Sequence, residues 1–135
     1  MARFDEKFVE SINRPGRVGV LATADAQGRP NAAYFGSPRL SLEGELVMGL
    51  GANRSLANLE ANPAAVFFVV EEAPVGFTTP GWRLYLQAKE IDRQGPLLEQ
   101  VRAAISAAAG EQAGRMIKAG VRFEVTQVRP LVDRG

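Results

Sequence analysis

The sequence predicts a mainly β fold, an antiparallel barrel of six or seven short strands with a few peripheral helices. Three observations lead there. Short apolar or alternating runs recur between turn residues, at the spacing of hairpins. Helical periodicity is confined to the N-terminus, to one short stretch near the middle and to one longer stretch late in the chain. The single strand–glycine turn–helix, Gly49-Leu50-Gly51-Ala52-Asn53-Arg54, lacks G-x-G-x-x-G spacing and no repeating βα pattern surrounds it, which argues against a doubly wound sheet.

Phe4, Phe8, Val9 and Ile12 fall on one face at helical spacing, and Arg14-Pro15-Gly16 ends that helix. Arg17 to Thr23 reads as a buried strand. Asp25 to Gly28 is a turn, and Arg29-Pro30 opens a second strand over Asn31 to Ser37. Pro30 at a strand start removes no ladder bond. Ser37-Pro38 interrupts; Arg39 to Leu42 alternates, Glu43-Gly44 turns, and Glu45 to Leu50 forms the next strand. Arg54 to Ala61 is a short helix with Leu56, Leu59 and Ala57 on the inward side, stopped by Asn62-Pro63. Ala64 to Val70 is a buried strand, Glu71 to Pro80 the longest loop, and Gly81 to Arg93 an alternating strand. Pro96 opens a helix whose apolar face is Leu97, Leu98, Val101, Ala104, Ile105 and Ala108. A second short helix is expected over Glu111 to Ala119, and the last strand over Val121 to Val132.

A chain of 135 residues suits one domain, here 1–135, with no repeats or linkers. Sixteen basic and fifteen acidic residues leave a formal charge of +1, too little field for wholesale nucleic-acid binding. Cysteine and histidine are both absent, which removes disulfides, thiolate and imidazole metal ligands, and the Ser-His-Asp triad. No metal site is expected. Redox or group-transfer chemistry in such a chain is borrowed from a cofactor. The opening residues lack the apolar core of a signal peptide, and no stretch approaches the ~20 apolar residues of a membrane span. A cytoplasmic protein is expected.

The stretch from Val47 to Pro63 organises the functional reading. Asn53 is a good N-cap, and the strand–turn–helix leaves free N–H groups at the helix start, where the dipole also favours an anion. Arg54 and Ser55 sit in that first turn, a guanidinium and a hydroxyl that suit a phosphate. The same spacing also describes an ordinary capped surface helix whose arginine faces water. Carboxylates are scattered, no pair has catalytic spacing, and Glu71-Glu72 reads as a solvated loop edge.

The pattern N-R-S-x-x-N-L-x-x-N-P after a strand, downstream of L-A-T-A-D-A-x-G-R-P-N and followed by the tail V-R-P-L-V-D, resembles the FMN-binding split-barrel superfamily. That group includes pyridoxamine 5′-phosphate oxidases and the small FMN-binding proteins of anaerobic bacteria. The resemblance runs from about Val18 to Pro130 and implies a Greek-key split barrel with FMN as cofactor. It implies phosphate contact at Asn53, Arg54 and Ser55, with Asn58 one helical turn on as a contact or a loop-orienting residue. It implies a flavin ring along the backbone of Tyr34, Phe35, Gly36 and Ser37 and of Met48, Gly49 and Leu50 beside it. Without the resemblance, the first of these is a core strand with two inward aromatics.

Trp82, the only tryptophan, is implied to cover the flavin from a partner subunit; otherwise it packs in the core or at a dimer contact. A homodimer is expected both from the resemblance and from the apolar runs Val66 to Val70 and Trp82 to Leu86. The oxidases carry basic residues where this chain has Ala33 and Pro38, so it is more similar to the small FMN-binding proteins. The expected function is an FMN-dependent oxidoreductase or electron-transfer protein with a small-molecule donor or acceptor. The alternatives are a pyridoxamine 5′-phosphate oxidase, a non-catalytic flavin-binding protein, or the deazaflavin F420 in place of FMN. A haem-binding barrel is disfavoured by the missing histidine.

Overall fold

A computed structural model describes residues 2–133 of the chain. The elements follow in the order α1 (Glu6–Ile12), β1 (Val18–Ala24), β2 (Pro30–Tyr34), β3 (Arg39–Leu40), β4 (Glu45–Leu50), α2 (Arg54–Ala61), β5 (Ala64–Val70), β6 (Gly81–Asp92), α3 (Pro96–Ala109), α4 (Glu111–Arg115) and β7 (Ala119–Pro130). The seven strands form one sheet in the order β2-β1-β5-β6-β7-β4-β3, and each pair is antiparallel. This is the split barrel that the sequence implied.

Side chains alternate across the strands, so one set fills the barrel. Leu21, Phe67, Val69, Leu84, Leu46, Met48, Val121, Phe123 and Val125 are wholly buried. The long pair β6–β7 carries two register shifts, at Tyr85/Leu86 and Ala88/Glu90, which bend both strands around the core. Helix α1 starts where Asp5 accepts the Phe8 N–H at 2.8 Å. It closes one end of the core through Ile12 and through Phe8, whose ring meets Trp82 edge-on at 5.4 Å.

Several boundaries depart from expectation, among them that of the third strand, which ends at Leu40 rather than Leu42. The second strand stops at Tyr34 rather than Ser37: Phe35 N–H makes the last main-chain bond, to Gly19 O, and the chain then crosses to the other edge of the sheet. The second late helix ends at Arg115, because Gly120 packs so closely on Leu97 that the chain is already extended by Ala119. The last strand ends at Pro130, which lacks a donor to continue the ladder.

Helix α3 depends on a side chain outside it. Gly95 at its N-cap offers no acceptor, and Asp92 supplies one instead, taking the N–H groups of Gly95 at 2.6 Å, Gln94 at 3.1 Å and Leu98 at 3.1 Å. Partial desolvation pushes the Asp92 carboxyl upward, but the N–H bonds from Gln94, Leu98, Gly95 and Leu97 together outweigh it and hold the group below its ordinary 3.8. A carboxyl depressed on folding stabilises the fold above its unfolded value and loses that contribution as pH falls through the folded one. Asp92→Ala is therefore expected to lower the melting temperature at neutral pH and to flatten its dependence on acid below about pH 4. Circular dichroism melts across that range check it; an unchanged acid profile would mean that Asp92 does not hold the helix.

Candidate functional site

The two edges of the sheet are joined directly by the crossing Phe35–Pro38, yet they do not pair along their length. Beyond Val47, the partner of Arg39, β4 has no strand on that side. Ser37 takes over there. Its hydroxyl accepts from Gly49 N–H at 3.3 Å and donates to Gly49 O at 3.4 Å, both long bonds. The barrel is split at this point, and a cavity of about 980 Å³ opens in the split. That lies at the upper end of the ~300–1,000 Å³ typical of small-molecule sites.

One lip of the cavity is Tyr34, Phe35, Gly36 and Ser37; the other is Gly49, Gly51, Ala52 and Asn53. The outer wall comes from α3 and α4, through Ile105, Ala108, Ala109, Ala113, Met116 and Ile117. Arg115 and Lys118 stand at its rim, and among the described residues no carboxylate lines it. Arg115 has only a loose pairing with Glu111, at 3.9 Å. The backbone N–H of Lys118 bonds Leu50 O at 2.8 Å, which ties the α4–β7 turn to the end of β4.

At the start of α2, Asn53 is the N-cap and accepts from Leu56 N–H at 2.9 Å. The first intrahelical bond runs from Ala57 N–H to Asn53 O, so the N–H groups of Arg54 and Ser55 precede the ladder. Arg54 is exposed with no ion pair among the described residues. The helix is held down by Leu56 and Leu59, with Ala57 turned outward to solvent rather than inward, and by two polar pairs, one buried and one half-buried. Asn58 donates to Thr23 Oγ1 at 3.0 Å, and Asn31 donates to Ser55 Oγ at 3.4 Å.

The structure thus brings together Tyr34, Phe35, Gly36, Ser37, Gly49 and Asn53 in one cavity, with Arg54 just beyond Asn53. Met48 and Leu50 flank it by backbone alone, since both side chains are wholly buried in the core. Ser55 is 2% exposed and Asn58 7%. Their side chains bond Asn31 on β2 and Thr23 on β1. Trp82 lies elsewhere in its own chain, against Phe8 and beside a small cleft lined by Phe77 and Pro130.

The packing of α3 on β4 requires a glycine at position 49. A Cβ there would stand 2.6 Å from Val101 Cγ1, 2.8 Å from Ile105 Cδ1 and 2.9 Å from Ile117 Cγ2. The missing side chain admits α3, which forms the outer wall. That wall was not anticipated from the sequence. The available signal was the alanine-rich second half of α3, where Ala104 and Ala108, expected in the core, are exposed.

The residues suit a flavin mononucleotide. The apolar walls are compatible with a flat aromatic ring, and the Gly36–Ser37 and Gly49–Gly51 peptides bring backbone polar groups to the two lips. The α2 start with Arg54 offers an anion site beside them. Among the described residues, no three His, Cys, Asp or Glu side chains gather as a metal ion requires.

A family model described as pyridoxamine 5′-phosphate oxidase matches residues 4–131. No curated protein matches the sequence. Among solved structures, an FMN-binding protein from Syntrophomonas wolfei subsp. wolfei superposes with a TM-score of 0.82 at 18% identity, over 96% of this chain and 87% of the other. HutZ, a heme storage protein from Vibrio cholerae, gives 0.69 at 24% identity over 93% of each. An F420 reductase gives 0.65 at 15% identity, over 89% and 94%. At these identities the likenesses establish the fold alone.

The packing at Gly49 makes a direct prediction. Gly49→Ala forces α3 outward or strains three side chains, and is expected to cost about 1–3 kcal/mol, the scale of overpacking. Urea unfolding measures it. A variant as stable as the parent would mean that α3 does not rest on β4.

Proposed function

The chain belongs to the pyridoxamine 5′-phosphate oxidase family, and on that premise we propose that it binds FMN in the split of the barrel. The observation that carries the reading is the cavity itself. It has apolar walls, cationic rims and, among the described residues, no acid, and it ends at a capped helix start whose arginine has no ion pair among those residues. When bound, the flavin supplies the redox chemistry that a chain without cysteine or histidine lacks. The Phe35–Ser37 and Gly49–Gly51 peptides orient the ring, and the N–H groups of Arg54 and Ser55 with the Arg54 guanidinium receive the phosphate. The Ala108, Ala109 and Met116 wall excludes water from one face.

The function that follows is an oxidoreductase or electron-transfer protein with a small-molecule partner, in the cytoplasm. Oxidation of pyridoxamine 5′-phosphate is not favoured, since Ala33 and Pro38 offer no cation to a substrate phosphate on β2 and its continuation. Haem is disfavoured too: with no histidine or cysteine, the cavity wall offers Tyr34 and Met116 as its axial-ligand types. A deazaflavin would use the same ring contacts.

The reading includes a homodimer. The outward face of β1, β5 and β6 carries Val20, Ala22, Val66, Phe68 and Tyr85, aligned in register and partly exposed. The row Val20–Phe68 continues onto Tyr34, which is 64% exposed and also forms the cavity lip. A second copy seated on this face would complete the site; Trp82, paired with the buried Val69 and against Phe8, turns to the core side of β6 and away from that face.

Two measurements test the reading. Arg54→Ala is expected to weaken FMN binding about tenfold, roughly 1.5 kcal/mol for an exposed charge-assisted bond, and to leave riboflavin affinity unchanged. Equal loss for both ligands, or for neither, would place the phosphate elsewhere. Light scattering is expected to give twice the 14.5 kDa chain mass, and Phe68→Glu is expected to give monomers with weakened FMN binding. A monomeric parent that binds FMN tightly would remove the dimer from the reading.

A further inference from the structure

One buried cation has no role in the reading so far. Arg17, just before β1, is 7% exposed. Its guanidinium lies over the Phe67 ring at 5.4 Å. Its Nη2 donates to Pro38 O and, at 3.5 Å, to Gly36 O, while its buried Nε has no acceptor. No carboxylate pairs with it among the described residues; its charged and titratable neighbours are Arg39 and Tyr34. Burial holds its pKa below the usual guanidinium value, with Tyr34 opposing that shift.

A buried unpaired charge is costly, and an apolar side chain would fill the space over Phe67 without that cost. What the guanidinium holds explains it. The crossing Phe35–Pro38 has no strand on either side past Phe35 N–H, and Pro38 has no N–H to give. Arg17 grips two carbonyls of this crossing from inside the barrel, while Ser37 Oγ grips Gly49 from its other side. Tyr34 Oη closes the stack, 3.6 Å from where a Gly36 Cβ would stand.

We infer that Arg17 is the positioning residue of the cavity lip, fixing Gly36 to Pro38 and leaving beneath it a positive charge that favours a more negative occupant. This rests on the flavin reading only for its second half. The lip is fixed with or without a ligand; the charge raises the reduction potential of a bound flavin, whose reduced ring carries more negative charge than the oxidised one.

The test uses Arg17→Lys, which keeps the charge without the two-carbonyl fork, and Arg17→Met, which keeps neither. Amide hydrogen exchange is measured by NMR on the flavin-free protein. Both variants are expected to exchange about tenfold or more faster at Phe35 and Gly49, whose N–H groups bond Gly19 O and Ser37 Oγ, with Leu21 and Phe67 little changed. With FMN bound, a reductive titration is expected to give a lower midpoint potential for Arg17→Met and a value near the parent's for Arg17→Lys. Uniform acceleration across β1 and β5, no acceleration at the lip, or failure of both variants to fold would make Arg17 a core-packing residue and overturn the inference. Equal potentials for the two variants would overturn its electrostatic half. If the parent binds no flavin, the flavin reading fails while the exchange comparison still decides the clamp.

Discussion

The Ser37 hydroxyl on the Gly49 peptide is the contact on which the site depends. Seven antiparallel strands with β2 and β3 at the two edges could close by pairing those edges, and here they do not. One side-chain oxygen replaces a stretch of ladder, with two bonds near the limit of useful length. A closed ladder would leave no cavity between the Gly36–Ser37 and Gly49–Asn53 lips. A fully open one would leave the lips without a fixed separation. The single clasp holds them apart and in register, which is what a flat ligand between two peptide edges requires.

The rest of the molecule is arranged around that gap. Helix α2 is fastened to β1 and β2 by the polar pairs Asn58–Thr23 and Ser55–Asn31, so its N-terminus is fixed at the end of the second lip. Helix α3 begins as a core helix through Leu98 and Val101, anchored by Asp92. Its second half leaves the core and becomes the outer wall, which the absent side chain of Gly49 allows. Arg102 fastens the same wall by donating twice to Ile117 O, at 3.0 and 2.7 Å. Away from the cavity, Glu45 and Glu90 pair with Arg122 across β4, β7 and β6.

Much of this was legible in the sequence because local signals carried it. Glu45–Leu50, Arg54–Ala61 and Ala64–Val70 are bounded as expected, since a turn, an N-cap and an Asn-Pro stop each mark their ends chemically. The Gly49 to Asn53 turn was read from local chemistry and Tyr34 to Ser37 were named through the resemblance; both stretches supply lining residues of the cavity. What was not legible depends on contacts far apart in the chain. That Gly49 admits α3 depends on Val101, Ile105 and Ile117. Arg17 reads as the polar start of a strand, and only the fold carries it under Pro38. The alanines of α3 satisfy helical periodicity on two faces at once, so periodicity alone could not say which face met the barrel.

The most direct measurement is an amide chemical-shift map recorded as FMN and then riboflavin are titrated into the ligand-free protein. Binding in the split predicts that both ligands shift Tyr34 to Ser37 and Gly49 to Gly51. It also predicts that FMN alone shifts Asn53, Arg54 and Ser55 at the start of α2. Saturable shifts confined to another surface, or no saturable binding of either ligand, would contradict it.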